Sequence, residues 1–425
     1  MLFCGLDVHK KEVEAAVLNE SGEILLRQRF ATDRETLESF ARQHLSTCRV
    51  ALEATTNCWA ITGILQPLCR EVVVSNPLRT RAIAEAKIKT DKVDALVLAH
   101  LLRCDYLPSV WCPGEETRRM RQRSTERANL SADRTRIKNR IHAVLHQRLI
   151  QPPMDDLFSK SGRAWLTALT LDAEGAATLG RHLQQLRLVE EQLAALDQQI
   201  AETAYQQPAV KLLMTLPGVD VTVAQTIAAA LGDITRFPDA DRAAAYLGLV
   251  PSTRQSGDHC YHGRITKQGA SHARWMLVEA AQQVGRHPGP LGVFFRRLLK
   301  RKNRNIAVIA TARKLVTIAW HMLRNNEPYR YAQPKTVEAK LSRLRVRATG
   351  RKKKTGSKGK ARPASYGSGV RTRAVASLDQ LYADEQLPAI APLQPGELAM
   401  LDAQQLSDYA AQIRQPHRVP RNSNT

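Results

Sequence analysis

The stretch FCGLDVHKKEVEAAVLNESGEILLRQRF, residues 3–30, decides how the chain begins. Phe3 to Val8 reads as a buried strand that ends on Asp7. Glu12 to Leu18 alternates, and Ser21-Gly22 turns the chain into Ile24 to Phe30, so a hairpin follows the first strand. Asp33 suits the N-cap of a helix reaching about His44, with Glu35 in its first turn. Arg49 to Leu52 is a short apolar strand that delivers Glu53 at its end. A helix from Trp59 to Cys69 and a strand from Glu71 to Ser75 come next. Pro77 opens a further helix, and Asp91 to Leu102 is another, apolar at 93, 96, 97 and 101. Residues 1–117 therefore predict an α/β domain.

Four acids stand out in it. Asp7 and Glu53 end strands that are neighbours in the predicted order, and Asp91 and Asp94 share one helix face. Oxygen-rich pockets of this kind suit hard divalent cations such as Mg²⁺, and a two-metal arrangement suits phosphoryl transfer. Each acid also has a bland reading: Asp91 as a helix N-cap, Asp94 as a surface residue. Asp7 is harder to dismiss, because an acid at the end of an apolar strand needs a partner or a cation. His9 lies two residues further on and reads as a surface histidine or a ligand.

Outward from this domain the chain becomes helical. Arg118 to Arg148 is charged, free of Gly and Pro, and apolar at helical spacing. From about Ala176 to Ala204, Leu179, Leu186, Leu193 and Ile200 recur every seven residues, with Glu190 interrupting. A helical coiled-coil or self-association segment is expected over 118–205. Leu213 to Gly232 reads as a helix, a Pro-Gly turn and an Ala-rich helix, a helix–hairpin–helix-like element in a mainly α domain over 206–332. Ala240 to Leu249, Ser271 to Val284 and Asn305 to Leu323 are further helices, and Val250 to Gly269 is expected to be a polar loop. Residues 333–425, basic and then Pro-rich, are expected to be a largely disordered tail.

Charge separates function classes. The chain has 425 residues and a net charge of +23. Twelve Lys/Arg without an acid lie between Leu341 and Ala374, and ten against two acids lie between Arg118 and Arg148. Such runs neutralise phosphates, so nucleic acid is the expected partner. The candidate contacts are Arg118, Arg119, Arg121, Arg123, Arg127, Arg134, Arg136, Lys138 and Arg140, with Arg264 and Lys267 in the polar loop. Neither run has the apolar face of a membrane-surface helix, and no apolar run approaches about 20 residues, so no membrane is expected. The N-terminus lacks a basic secretory n-region. Seven scattered cysteines without a C-x-x-C pair suggest neither a disulfide framework nor a zinc site. His259-Cys260-Tyr261-His262 has no matching ligand pair elsewhere, so zinc is not expected there either. A reduced, cytoplasmic, nucleoid-associated protein is the expectation.

The order of a hairpin plus strand, then Asp, Glu and a helical Asp-x-x-Asp resembles the ribonuclease-H-like fold of RuvC-type Holliday-junction resolvases. More widely, "GLDVHKKEVEAAVLNESGEIL", "ALEAT", "IKTDKVDALVLAHLL" and "AYLGLVPSTRQSGDHCYHGRITKQGASHARWMLVEAA" resemble the DEDD transposases of bacterial insertion sequences, over about residues 3–323. The resemblance implies that Asp7, Glu53, Asp91 and Asp94 are the catalytic acids. It also implies a second domain whose serine attacks DNA, a non-coding bridge RNA that guides element ends and target, and a dimer or tetramer. From the residues alone, Ser252, Ser256 and Ser271 are all available. The family's Ser-Gly selects Ser256, with Ser252 as the fallback, although Gln255 replaces the serine that often precedes it. Two rival readings remain: a structure-specific endonuclease of the Holliday-junction resolvase type, without a covalent intermediate, and a non-catalytic nucleic-acid scaffold.

Overall fold

The computed structural model describes residues 1–83, 90–257, 259–351 and 372–420. The chain is mixed α/β and mostly helical, and divides into two units, Met1–Gly114 and Glu115–Thr425.

In the first unit, β1 (Leu2–Val8), β2 (Glu12–Leu18), β3 (Ile24–Ala31), β4 (Cys48–Glu53) and β5 (Glu71–Ser75) form one sheet in the order β3-β2-β1-β4-β5. The β1–β2 and β2–β3 pairs are antiparallel, and the β1–β4 and β4–β5 pairs are parallel. The helices are α1 (Arg34–His44), α2 (Cys58–Leu65), α3 (Pro77–Ile83) and α4 (Asp91–Arg103). Asp33 caps α1 by accepting a hydrogen bond from the Thr36 amide at 2.9 Å.

Strand alternation sends β1 into two cores. Cys4, Leu6 and Val8 pack with Leu37 and Phe40 of α1 and with Cys58, Ile61 and Leu65 of α2. Phe3 packs on the other face with Leu98, Ala99 and Leu102 of α4. Gly5 shares the Phe3 face, and a Cβ there would lie 1.9 Å from the Ala95 carbonyl oxygen. The glycine is what lets α4 lie directly on β1. Helix α4 buries Ala95, Leu98, Ala99 and Leu102, so Asp91 and Asp94, one turn earlier, continue the same stripe above the ends of β1 and β4.

The second unit begins with α5 (Glu115–His146), α6 (Lys160–Ala168) and α7 (Ala173–Tyr205). Helices α5 and α7 run antiparallel: Arg148 meets Asp172, Arg127 meets Asp197, and Arg123 reaches Thr203. Leu179, Leu186, Leu193, Leu196 and Ile200 form the buried side of α7. Glu190 is held by both guanidinium nitrogens of Arg163 on α6, each at 2.7 Å.

The main core gathers α8 (Pro208–Leu213), α9 (Val221–Leu231), α10 (Ala240–Tyr246), α11 (Ser271–Val284), α12 (Pro290–Leu299) and α13 (Arg304–Asn325). Between α8 and α9, Gly218 has φ +73°, and a Cβ there would meet the Ala280 carbonyl at 2.4 Å. Helix α13 is long and apolar enough to cross a membrane by length and composition, and it lies in this core against α10, α11 and α12.

Two sequence expectations need correction. Val250 to Gly269 is not a plain loop: β6 (Pro251–Ser256) and β7 (His259–Ile265) pair as an antiparallel ribbon. Every residue of β6 is exposed, so no apolar alternation announces it. The tail is not largely disordered either. Helices α14 (Pro334–Thr349), α15 (Leu378–Asp384), α16 (Pro395–Ala403) and α17 (Ser407–Ile413) pack on the main core, and β8 (Thr372–Val375) pairs with β9 (His417–Pro420). The reason is a sparse apolar stripe: Val337, Leu341 and Leu344 are buried at helical spacing. Tyr382 and Tyr409 donate to the carbonyls of Tyr329 and Tyr331 at 2.8 and 2.9 Å. Buried Lys340 donates to the Leu216 and Val219 carbonyls, tying α14 to the Pro-Gly turn. Most of the basic run of residues 341–374 lies in 352–371, outside the described residues.

Candidate active site

Asp7 and Asp91 come together. One ligand atom each from Asp7, His9 and Asp91 lies within 4.8 Å of the others. His9 Nε2 is 3.1 Å from Asp7 Oδ2 and 3.2 Å from Asp91 Oδ1. The other Asp91 oxygen takes a hydrogen bond from Arg29 at 3.1 Å. Burial pushes the Asp7 carboxyl above its ordinary range, His9 pulls it down, and the charges of Asp94 and Asp91 push it up again. Asp94 is therefore close enough to act on Asp7. His9 is raised, chiefly by the charge of Asp7.

Glu53 is placed by register. The β1–β4 pairing runs from Leu2 opposite Cys48 to Leu6 opposite Leu52, and one more step sets Asp7 beside Glu53. Glu53 also follows Ala51, an α4-side core residue, by two positions, so it lies on the α4 side of the sheet.

Sequence reading missed Glu14 and Arg29. Glu14 is the antiparallel partner of Asp7 and is only 4% exposed. Arg29, across the next strand pair, spans three acids: Glu12 at 3.1 Å, Glu14 at 3.2 Å and Asp91 at 3.1 Å. The available signal was an acid inside the apolar run of β2, opposite Asp7 in the hairpin register. The donor set suits a hard cation: carboxylates from two strands and a helix, with their negative charge offset in part by His9 and Arg29.

The ribbon presents the candidate serines differently. Ser256 ends β6 at the tip, exposed and paired in register with His259. Gly257 follows with φ +56° and open space around its Cβ position. Ser252 lies at the base, where a Cβ on Gly263 would come within 2.5 Å of its Oγ. Ser271 opens α11. Arg264 and Lys267 are exposed, on and just past β7.

The cations of α5 divide. Arg121 donates to the Ala229 and Ala230 carbonyls, Arg123 to Thr203, and Arg127 pairs with Asp197 at 2.6 Å. These three join α5 to α7 and α9. Arg119 and Arg136 pair with Glu115 and Asp133 on α5 itself. Lys138 lies over the Phe158 ring at 4.4 Å. Arg134 and Arg140 are exposed, while Arg118 is partly buried.

Comparison with known proteins adds the class. A family model for DEDD transposases of the IS110 type, described as "Transposase", matches residues 4–150. A second, described as "Transposase IS116/IS110/IS902 family", matches residues 210–293. The chain is 25% identical over 343 residues to a probable family 20 transposase of Pseudomonas aeruginosa, covering 77% of this chain and 98% of that protein. It is 25% identical over 395 residues to an IS110 protein of Streptomyces coelicolor, covering 79% and 97%. It is 27% identical over 296 residues to a pilin gene-inverting protein of Moraxella bovis, covering 67% and 82%. Fold, acids and relatives together define an enzyme of the transposase and recombinase class. Within that class, the chain belongs to the IS110 family of DEDD transposases. The family implies use of a divalent metal and action on DNA.

Proposed function

We propose that the protein cleaves and rejoins DNA strands at element ends and target, through a ribonuclease-H-like acid site and a serine nucleophile. The observation that carries this reading is the convergence of Asp7 and Asp91 on one point, with Asp94 acting on Asp7 and Glu53 beside it in register. Asp7, Glu53, Asp91 and Asp94 would hold the cation, Mg²⁺ in this reading. A bound cation supplies charge neutralisation for the phosphoryl oxygens. Asp7 and Asp91 keep their oxygens turned to one point because β1 and α4 are locked through Gly5, and Arg29 fixes the second oxygen of Asp91.

Ser256 is the nucleophile in this reading. Its hydroxyl attacks phosphorus, and its proton passes to the departing strand oxygen. A phosphoserine bond forms, one phosphorus–oxygen bond of the strand breaks, and the freed strand oxygen departs. The reverse step rejoins DNA and returns the proton to Ser256. Both serines are exposed, but Ser256 stands at the ribbon tip beside the open Gly257, whereas the Oγ of Ser252 lies against Gly263, and that favours Ser256. A non-coding guide RNA, a homo-oligomeric dimer or tetramer, and action in the bacterial cytoplasm at the nucleoid complete the proposal.

The test is a nicked suicide DNA substrate. Wild-type protein should be trapped as a denaturant-resistant adduct, and peptide mapping should place it on Ser256. Ser256→Ala should lose the adduct and keep its fold. Cleavage without any adduct would favour the hydrolytic resolvase-type mechanism instead.

A further inference from the structure

The run Arg296-Arg297-Leu298-Leu299-Lys300-Arg301-Lys302-Asn303-Arg304 places six cations and no acid in nine residues. It forms the corner where α12 ends and α13 begins, and all six cations are exposed. The contrast with α5 is chemical. On α5, Arg119, Arg127 and Arg136 each meet a carboxylate. At the corner, none of the six forms an ion pair with an acid among the described residues. Arg296 donates only to the Gly285 and His287 carbonyls, and Arg297 lies over the Phe294 ring.

Such a corner works against the fold when left alone. Arg296 and Lys300 stand four residues apart across the last turn of α12, the spacing at which like charges repel along a helix, and Arg301 and Lys302 follow directly. Two carbonyls and one aromatic face offset Arg296 and Arg297, but no carboxylate among the described residues meets any of the six, whereas an external polyanion would. The positive end of α13, capped by Asn303, and the negative end of α12 meet here and offset one another, so the six side chains set the charge of the corner. The exposed neighbours are Leu299 and Ile306, without an exposed aromatic side chain in the run. Single-stranded nucleic acid is gripped by stacking on aromatics, whereas a duplex is gripped through its phosphates.

We propose that the α12–α13 corner is a sequence-independent binding surface for the phosphate backbone of duplex DNA. It rests on the reading of the chain as an enzyme that handles DNA, and adds a surface that neither the acids nor the ribbon supplies. Lys300, Arg301 and Lys302 would each sit against a phosphate.

The test uses the full chain and a labelled DNA duplex, with affinity read by fluorescence anisotropy over about 50–200 mM salt. The triple variant Lys300→Gln/Arg301→Gln/Lys302→Gln should weaken binding by about tenfold or more and make the log–log salt slope shallower by about 2–3, at about 0.9 per lost phosphate contact. Arg34→Gln/Arg42→Gln, which removes two cations from α1, should leave the slope unchanged. The unfolding midpoint of the triple variant should stay level or rise, because repulsion is relieved. An unchanged slope in the triple variant, with wild-type protein binding normally, would overturn the surface and leave the enzyme reading intact. Wild-type protein that does not bind duplex DNA at all would sink the enzyme reading instead. Loss of binding to phosphatidylserine vesicles with duplex binding retained would show a membrane surface and overturn the proposal.

Discussion

Gly5→Ala tests whether the acids depend on the contact between β1 and α4. The added Cβ would lie 1.9 Å from the Ala95 carbonyl oxygen and 2.7 Å from the Ala99 amide nitrogen, both backbone atoms. Real Cβ contacts do not fall below 3.0 Å, so α4 must retreat by on the order of 1 Å. Overpacking of this kind costs about 1–3 kcal/mol. The functional cost should be larger. Asp91 and Asp94 ride on the first turn of α4, while Asp7 stays two residues from the substitution on β1. A shift of about 1 Å in a catalytic constellation can cost about 100-fold in rate. The full-length variant should therefore bind duplex DNA as wild type does, show faster amide hydrogen exchange in β1 and α4, and cleave about 100-fold more slowly in a single-turnover assay. Wild-type exchange together with a wild-type cleavage rate would refute the reasoning, because α4 could not then lie on β1 as described.

Two further perturbations have a defined sign. Arg29→Met leaves Glu14 buried without its cation and frees one oxygen of Asp91. It should cost about 1–3 kcal/mol of stability and weaken Mn²⁺ binding by about tenfold or more, as removal of a group that orients a metal ligand does. Isothermal titration showing equal or tighter Mn²⁺ binding would mean that Arg29 competes with the cation instead of orienting Asp91. His287 is buried, accepts a hydrogen bond from the Gly289 amide, and among the described residues has no partner for Nε2. Burial pushes it down to about 4, so the folded state favours the neutral ring. Its contribution is complete above about pH 6.5 and is lost as pH falls toward 4, to the extent of on the order of 3 kcal/mol. Urea unfolding from pH 7 to 4 should show this loss, and His287→Phe should flatten it; an equal pH dependence in the variant would assign the effect elsewhere.

The parts legible in the sequence are those where burial writes a pattern. The strand from Phe3 to Val8 and the alternation of Glu12 to Leu18 mark the first two strands, and the spacing of three places Asp91 and Asp94 on one face of α4, although the helix buries 95, 98, 99 and 102 and not the expected 93, 96, 97 and 101. What stayed hidden depends on pairings between distant residues. Arg29 meets Asp91 across 62 positions, and Glu14 shows its meaning only once the hairpin register sets it opposite Asp7. The β6–β7 ribbon carries no apolar signature because β6 is wholly exposed. The tail was misjudged because Lys, Gly and Ser between 350 and 371 outweigh the few buried apolar residues of α14 to α17. On α5, a basic run concealed two uses of arginine. Arg121, Arg123 and Arg127 join helices, and composition cannot separate them from cations that remain exposed.

The central claim is that the acids of β1 and α4 form one cation site. It is tested most directly by Mn²⁺ binding, followed by electron paramagnetic resonance, in wild-type protein and in Asp7→Asn/Asp91→Asn. The wild-type chain should bind Mn²⁺, and the double variant should lose more than about 100-fold in affinity while still binding duplex DNA. A double variant that binds Mn²⁺ as tightly as wild type would contradict the account.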